Sequence, residues 1–293
     1  MGFRTVIIKS RAKLEFRLNS LIVRGDVEKK VFIDEINTLI VQSTAVSLTA
    51  SLLCELVKRN IKVVFCDEKH NPQSELLPYY GAHNTSKRYK EQMLWGGDIK
   101  AKVWRKIIEN KILGQAAHLL DCGFREQSEL LYSYVPSVQD NDSTNREGHS
   151  VKVYFNCLLG IGNGRKTDGF LNGCLNYGYA VLLSAFNREI VAGGYLTQLG
   201  IWHDNEFNQF NLGCDLMEPF RVVVDRTAMR IQENDKDFKK KMVNILNYKT
   251  LIRGKNTTLD LAIRQYVKSV FYALQDGNEE LLIFPEEITL DEL

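Results

Sequence analysis

The hydrophobic repeat of this chain changes near residue 80, from the two-residue period of strands to the longer period of helices, and that change limits the folds open to it. Leu14, Phe16 and Leu18 alternate with polar or charged neighbours, which predicts a strand with its apolar side chains on one face. Thr5 to Lys9, Leu21 to Arg24, Val31 to Ile33 and Thr38 to Val41 supply further short β-branched runs, with turns at Asn19-Ser20 and Gly25-Asp26. Leu48, Leu52 and Leu56 recur at i+4 and predict one helix, after which Lys62 to Cys66 returns as a buried strand.

Beyond Pro78 the β character stops. Gln92 to Leu120 carries Val103, Ile107, Ile108, Ile112 and Leu119 on one helical stripe with lysines opposite. Ser128 to Val135, Val151 to Leu159, Leu171 to Ala192, Met217 to Ile231 and Leu259 to Leu274 read as further helices, and Thr257 with Asp260 predicts a capping box for the last. Strands followed by helices argue for an α+β chain of two domains. The expectation is a β-sandwich-like domain with one helix over residues 1–88, then an all-α domain over 89–293 with an acidic C-terminal tail.

Composition removes several classes. The 293 residues are 44% hydrophobic and 25% charged, with only 5 Pro, which is the make-up of a chain that buries a core. The longest apolar run, Tyr179 to Phe186, is broken by Ser184 and is far shorter than a membrane span. The first residues lack the apolar core of a secretory signal, so the expected setting is cytoplasmic. The cysteines at 54, 66, 122, 157, 174 and 214 form no Cys-x-x-Cys pair and read as small buried hydrophobes, not as a zinc ribbon or redox dithiol.

A net charge of +2 conceals an asymmetry. Residues 276 to 293 hold seven acids and no base, which leaves the preceding residues with an excess of +9. From Lys87 to Lys111 there are eight bases against three acids, and from Lys236 to Lys255 seven against one. Basic stripes attract polyanions through counterion release, and nucleic acid is the commonest such partner. Lys100, Lys102, Arg105, Lys106, Arg146, Lys152, Arg165, Lys166 and Arg221 are the DNA-binding candidates. A solvated helix face is the plainer explanation of either stripe alone.

Gly160-Ile-Gly162-Asn-Gly164-Arg165-Lys166-Thr167 resembles a phosphate cradle, but a P-loop needs Gly before the Lys and a strand before the loop, so it reads as a basic interhelical loop. A sharper constellation is Glu147 at the start of a helix, His203 in Gly200-Ile-Trp-His203, and Asp215 and Glu218 three residues apart on one helix face with Arg221 a turn later. Asp215 can cap that helix. Carboxylates plus one imidazole suit a divalent cation, with the His favouring Mn²⁺ and Mg²⁺ still feasible. Each of these residues is also common in a purely structural role. His70, His83 and His118 read as surface or satisfied core residues, and His149 faces away from Glu147 on the helix.

The strings Asn145-Arg146-Glu147-Gly148 with Tyr154-Phe155, Gly200-x-x-His203, and Asp215-Leu-Met-Glu218-Pro-Phe-Arg221 resemble those of the CRISPR-associated integrase family, in order and over essentially the whole chain. The block Asn205-x-Phe207-Asn-Gln-Phe210-Asn211 looks most like the type II-A form. The resemblance implies a β-sandwich-like dimerisation domain and a helical catalytic domain. It implies metal ligands at Glu147, His203 and Glu218, an accessory acid at Asp215, and Mg²⁺ or Mn²⁺ as the ion. Many members carry Asp where Glu218 stands. It further implies a homodimer that joins a small ferredoxin-like partner dimer in a heterohexamer and inserts protospacer DNA into a CRISPR array. Two other readings use the same residues: a free-standing metal nuclease on branched DNA, and a non-catalytic DNA-binding scaffold whose acids only cap helices.

Overall fold

The computed structural model describes residues 4–68, 70, 72–79, 84–160, 169–233 and 235–289. It divides into two compact units, residues 1–83 with 191–194, and residues 84–190 with 195–293.

The first unit contains β1 (Arg4–Ile8), β2 (Ala12–Arg17), β3 (Ser20–Arg24), β4 (Glu28–Phe32), β5 (Ile36–Val41), β6 (Val46–Leu48), α1 (Ala50–Lys58), β7 (Lys62–Cys66) and β8 (Pro72–Glu75). They form two four-stranded sheets, ordered β1-β5-β7-β8 and β4-β3-β2-β6. The β1/β5 and β5/β7 pairs are parallel, whereas β2/β3 and β3/β4 are antiparallel. Ile8, Leu14, Leu21, Ile33, Leu39 and Val63 meet Leu52 and Leu56 of α1 in one core. Thr49 caps α1 by accepting from the Leu52 amide. The strand alternation stops one residue earlier than the pattern suggests. Leu18 (φ 47°) and Asn19 (φ 54°) form the β2–β3 turn, so Leu18 is 77% exposed and does not share the core face of Leu14.

The second unit is mainly helical: α2 (Thr85–Met93), α3 (Gly97–Asp121), α4 (Arg125–Tyr134), α5 (Arg146–Leu159), α6 (Phe170–Ala192), α7 (Asn211–Met217), α8 (Arg221–Arg230), α9 (Phe238–Asn244) and α10 (Leu259–Asp276). The single helix expected over 92–120 is interrupted ahead of Gly96-Gly97, where glycine's poor helix propensity lets the chain turn between α2 and α3. α3 is buried along much of its length and packs against α4, α5, α8 and α10.

This unit is not purely helical. β9 (Lys249–Ile252), β10 (Lys255–Thr258) and β11 (Glu287–Thr289) make an antiparallel sheet ordered β10-β9-β11. Strands of three or four residues are too short to show a period. The expected capping box at Thr257 and Asp260 is also absent. The Asp260 carboxylate is buried and turns to Arg188 Nη2 at 2.5 Å instead. The described part of the acidic tail, up to residue 289, folds back on its own unit: Phe284 packs on Tyr266 with centroids 5.2 Å apart, and the Ile283 amide donates to Ser269 Oγ at 3.0 Å. Among the described residues no helix is long and apolar enough to cross a membrane.

Candidate active site

Glu147 is placed by the start of α5. Asn145 takes the left-handed conformation (φ 51°), and Asp142 reaches over it to accept from the amides of Arg146 at 2.8 Å and Glu147 at 2.9 Å. That satisfies two orphan donors of the helix. It also sets the Glu147 carboxylate in the first turn, where the helix dipole favours an anion.

Glu218 opens a 3-10 turn (Glu218–Phe220) directly after α7, with Pro219 at a position that needs no amide partner. Its side chain is buried, and its Oε1 accepts from Arg221 Nε at 2.8 Å. Lys111, from the middle of α3, sends its ammonium to both acids: Nζ contacts Glu147 Oε1 and lies 2.6 Å from Glu218 Oε2. Both contacts are close ion pairs. Burial pushes the Glu218 pKa up, but the Lys111 and Arg221 charges outweigh it and hold the carboxyl at about 2. Burial likewise opposes the Lys111 charge, and Glu218 and Glu147 overcome it, so this ammonium titrates above the usual lysine range.

Asp215 does not cap a helix. It sits inside α7, fully buried, and its carboxylate accepts from the backbone amides of Ile201 (2.6 Å), Trp202 (3.0 Å) and His203 (3.1 Å). One of the same oxygens also bonds His203 Nδ1. The Gly200–His203 turn is thus wrapped around one carboxylate. A Cβ on Gly200 would collide with the His203 carbonyl oxygen and stand 2.8 Å from Asp215 Oδ2, so only glycine lets the turn close. With Nδ1–H donated to Asp215, His203 Nε2 is left with its lone pair, as a metal ligand requires. The Asp215 bond raises the His203 pKa against the opposing effect of burial.

α3 carries both halves of this arrangement. Trp104 packs edge-on to His203 with centroids 5.9 Å apart and stacks on Trp202 at 5.8 Å. Lys111 follows two turns later on the same face. Beside the acid pair lies a cavity of about 240 Å³ walled by Lys111, Gln115, Glu147, Tyr179, Glu218 and Asp225, among others. Behind it runs a buried chain: His118 Nδ1 bonds Tyr154 Oη at 2.6 Å, Tyr154 donates to Asp225 Oδ2 at 3.0 Å, and Tyr179 donates to Asp225 Oδ1.

The other candidate residues separate clearly. Arg221 is tied to Glu218 and lies over the Tyr179 ring at 4.9 Å, and Arg146 lies over the Tyr134 ring at 5.0 Å. Lys152 is exposed on α5, and Lys100 is half-buried on α3. Lys102, Arg105 and Lys106 face acids of the chain's own tail: Glu279 lies 3.9 Å from Lys102 and 3.7 Å from Arg105, and Glu280 lies 3.8 Å from Lys106. Arg105 also meets Asp140 at 2.8 Å. Arg165, Lys166 and the phosphate-cradle lookalike fall outside the described residues, as does His83. His118 is a bonded core residue, and His70 Nδ1 meets the Gln42 carbonyl at 2.8 Å. Lys111, Gln115, Tyr179 and Asp225 escape a reading of sequence pattern. In the sequence Lys111 is one more base of a surface stripe, and nothing local marks it as buried.

Among the described residues no three His, Cys, Asp or Glu side chains stand close enough together to hold an ion by themselves. The donor chemistry nevertheless suits one. Two carboxylates converge on a single cation, and the His203 imidazole is bonded through Nδ1 to Asp215, which leaves Nε2 as a further donor.

Comparison with known proteins identifies the family and the fold. The family described as CRISPR associated protein Cas1 matches residues 5–251. The CRISPR-associated endonuclease Cas1 of Neisseria meningitidis serogroup C (strain 8013) is 29% identical over 100% of this chain and 99% of its own length. Among solved structures, a casposase bound to integration product superposes with a TM-score of 0.80 at 19% identity, covering 99% of this chain and 96% of that one. A Cas6-RT-Cas1–Cas2 complex superposes with a TM-score of 0.75 at 16% identity, covering 100% of this chain and 36% of that one. The chain belongs to the family of CRISPR-associated protein Cas1.

Proposed function

We propose that this protein is a divalent-metal-dependent DNA integrase that joins the 3′-OH of a protospacer to a phosphodiester of a CRISPR array. The observation that carries the reading is the convergence of Glu147 and Glu218 on one buried cation site, with His203 held by Asp215 as a third donor. Glu147, Glu218 and His203 Nε2 are the residues that would hold Mg²⁺ or Mn²⁺. The ion would neutralise charge building on the phosphoryl oxygens and lower the pKa of the attacking hydroxyl.

The chain's own residues do the positioning. Asp215 fixes the His203 ring and tautomer. Arg221 stays beside Glu218 and keeps that carboxylate ionised. Arg146, Lys152 and the bases of α3 offer phosphate contacts that position DNA without reading its sequence. The strand-transfer step exchanges one P–O bond for another, so no external energy source is needed. The active assembly is proposed as a homodimer through the β-rich unit, joined to a small Cas2-type dimer in a heterohexamer. Support comes from the structural similarity to the Cas6-RT-Cas1–Cas2 complex and from the exposed Leu18, Val27 and Phe32 of that unit. Type II-A is the proposed subtype, supported by the Asn205 to Asn211 block, and a CRISPR array as substrate places the protein in the cytoplasm.

The test is product analysis. Purified protein, the small partner, a 3′-OH donor duplex and a repeat duplex are combined with Mn²⁺ or with chelator. Strand-joined products that require the metal support the integrase reading. Hydrolysed fragments alone would favour a nuclease using water, and equal DNA binding with no products in either condition would favour a scaffold.

A further inference from the structure

A lysine buried between two carboxylates is an expensive feature. The Lys111 side chain is 7% exposed and comes from the middle of a long helix, whereas Glu147 and Glu218 arrive on separate elements. Taking an ammonium out of water is tolerated only where anions meet it, and two carboxylates converge only where a cation offsets their repulsion. Lys111 meets both conditions at once. It also stands where an ion shared by the two acids must go. Carboxylate oxygens bind Mg²⁺ at about 2.0–2.1 Å, and Lys111 Nζ already lies 2.6 Å from Glu218 Oε2. Both cations cannot occupy that space.

The structure also holds a place for a departing ammonium. Gln115 lies four residues along α3, so its side chain neighbours that of Lys111 on the same face. It is buried, it walls the same cavity of about 240 Å³, and its Oε1 has no hydrogen-bond partner among the described residues. A buried amide oxygen without a donor is costly, and such a group calls for an explanation. A lysine ammonium that visits the cavity would provide one.

We propose that Lys111 is an exchangeable counter-cation: it holds Glu147 and Glu218 together in the metal-free protein and moves toward Gln115 Oε1 when a divalent ion takes its place. This rests on the metal-binding reading above and adds that metal affinity is set by competition with an internal lysine. The exchange keeps the acid pair assembled in the absence of metal. It also weakens metal binding, because the ion must displace a paired charge.

The test is made on the full-length protein without DNA. Mn²⁺ binding is measured calorimetrically for wild type, Lys111→Met and Gln115→Leu. The exchange predicts that Lys111→Met binds Mn²⁺ at least ten-fold more tightly than wild type and that Gln115→Leu binds it several-fold more weakly. In wild type, acetylation by an amine-reactive ester, read by mass spectrometry, should label Lys111 faster in Mn²⁺ than in chelator. This second readout stands even where Lys111→Met folds poorly without metal. Equal or weaker Mn²⁺ binding by Lys111→Met, or equal protection of Lys111 in both conditions, overturns the exchange while leaving the metal site intact. If no form binds Mn²⁺ at millimolar concentration, the metal-binding reading falls and the exchange falls with it.

Discussion

Asp215 accounts for more of the site than any other single side chain. A residue that only capped a helix would cost roughly 1 kcal/mol on replacement by Ala. Asp215 instead answers three backbone amides and an imidazole from a fully buried position. Removing it leaves those donors without partners, so Asp215→Ala should cost roughly 3–5 kcal/mol in denaturant unfolding. A loss near 1 kcal/mol would return Asp215 to a peripheral role. Local pattern points to Asp215, Glu218 and His203 because each sits in a short, chemically distinctive string. It cannot show what Asp215 does, since its partners lie 12 to 14 residues upstream and meet it only in the folded turn. Lys111 is invisible for the same reason: burial is a tertiary property, and a lysine on a helix reads as solvated until the helices against it are known.

At the scale of elements, α3 and α5 are tied through the His118–Tyr154 bond. Burial, aided by the Arg226 charge, lowers the His118 pKa from 6.5 to about 4, so the folded protein keeps the ring neutral where the unfolded chain would protonate it. The unfolded state therefore binds more protons between those values. His118 contributes stability that is full above pH 6.5 and lost as pH falls toward 4, with an upper limit of roughly 3 kcal/mol. Replacement by Gln should flatten the decline in unfolding free energy across that window. An unchanged slope would show that other groups govern it.

The basic stripe of α3 is a second property of an element. Its pairs with Glu279 and Glu280 are partly exposed, worth about 0–1 kcal/mol each, and open to displacement by phosphates. Charge reversal at Lys102 and Lys106 should weaken binding to all DNA sequences alike. It should also flatten the slope of log affinity against log salt by about one for each phosphate no longer neutralised. A slope equal to that of wild type would make the stripe a partner of the tail alone. Helix positions are largely legible because long amphipathic segments carry their own period, whereas the break before Gly96 and the short strands β9 to β11 leave too few residues to show one.

Across the whole molecule, the change of period near residue 80 anticipates an α+β chain, and nothing in the pattern shows that residues 191–194 group with the first compact unit. The docking of the tail is not legible. Its apolar residues Ile283 and Phe284 signal a packed segment, but only the folded chain shows Phe284 on Tyr266 and Glu287–Thr289 paired with β9. The central claim is that Glu147, His203 and Glu218 act together as one catalytic metal site. The most direct measurement is strand transfer by Glu147→Ala, His203→Ala and Glu218→Ala in Mn²⁺, each first shown by circular dichroism to keep its helical content. Loss of joined product in all three, with DNA binding retained, is the expected result. Full strand transfer by any folded member of the set would contradict the claim and remove that residue from the site.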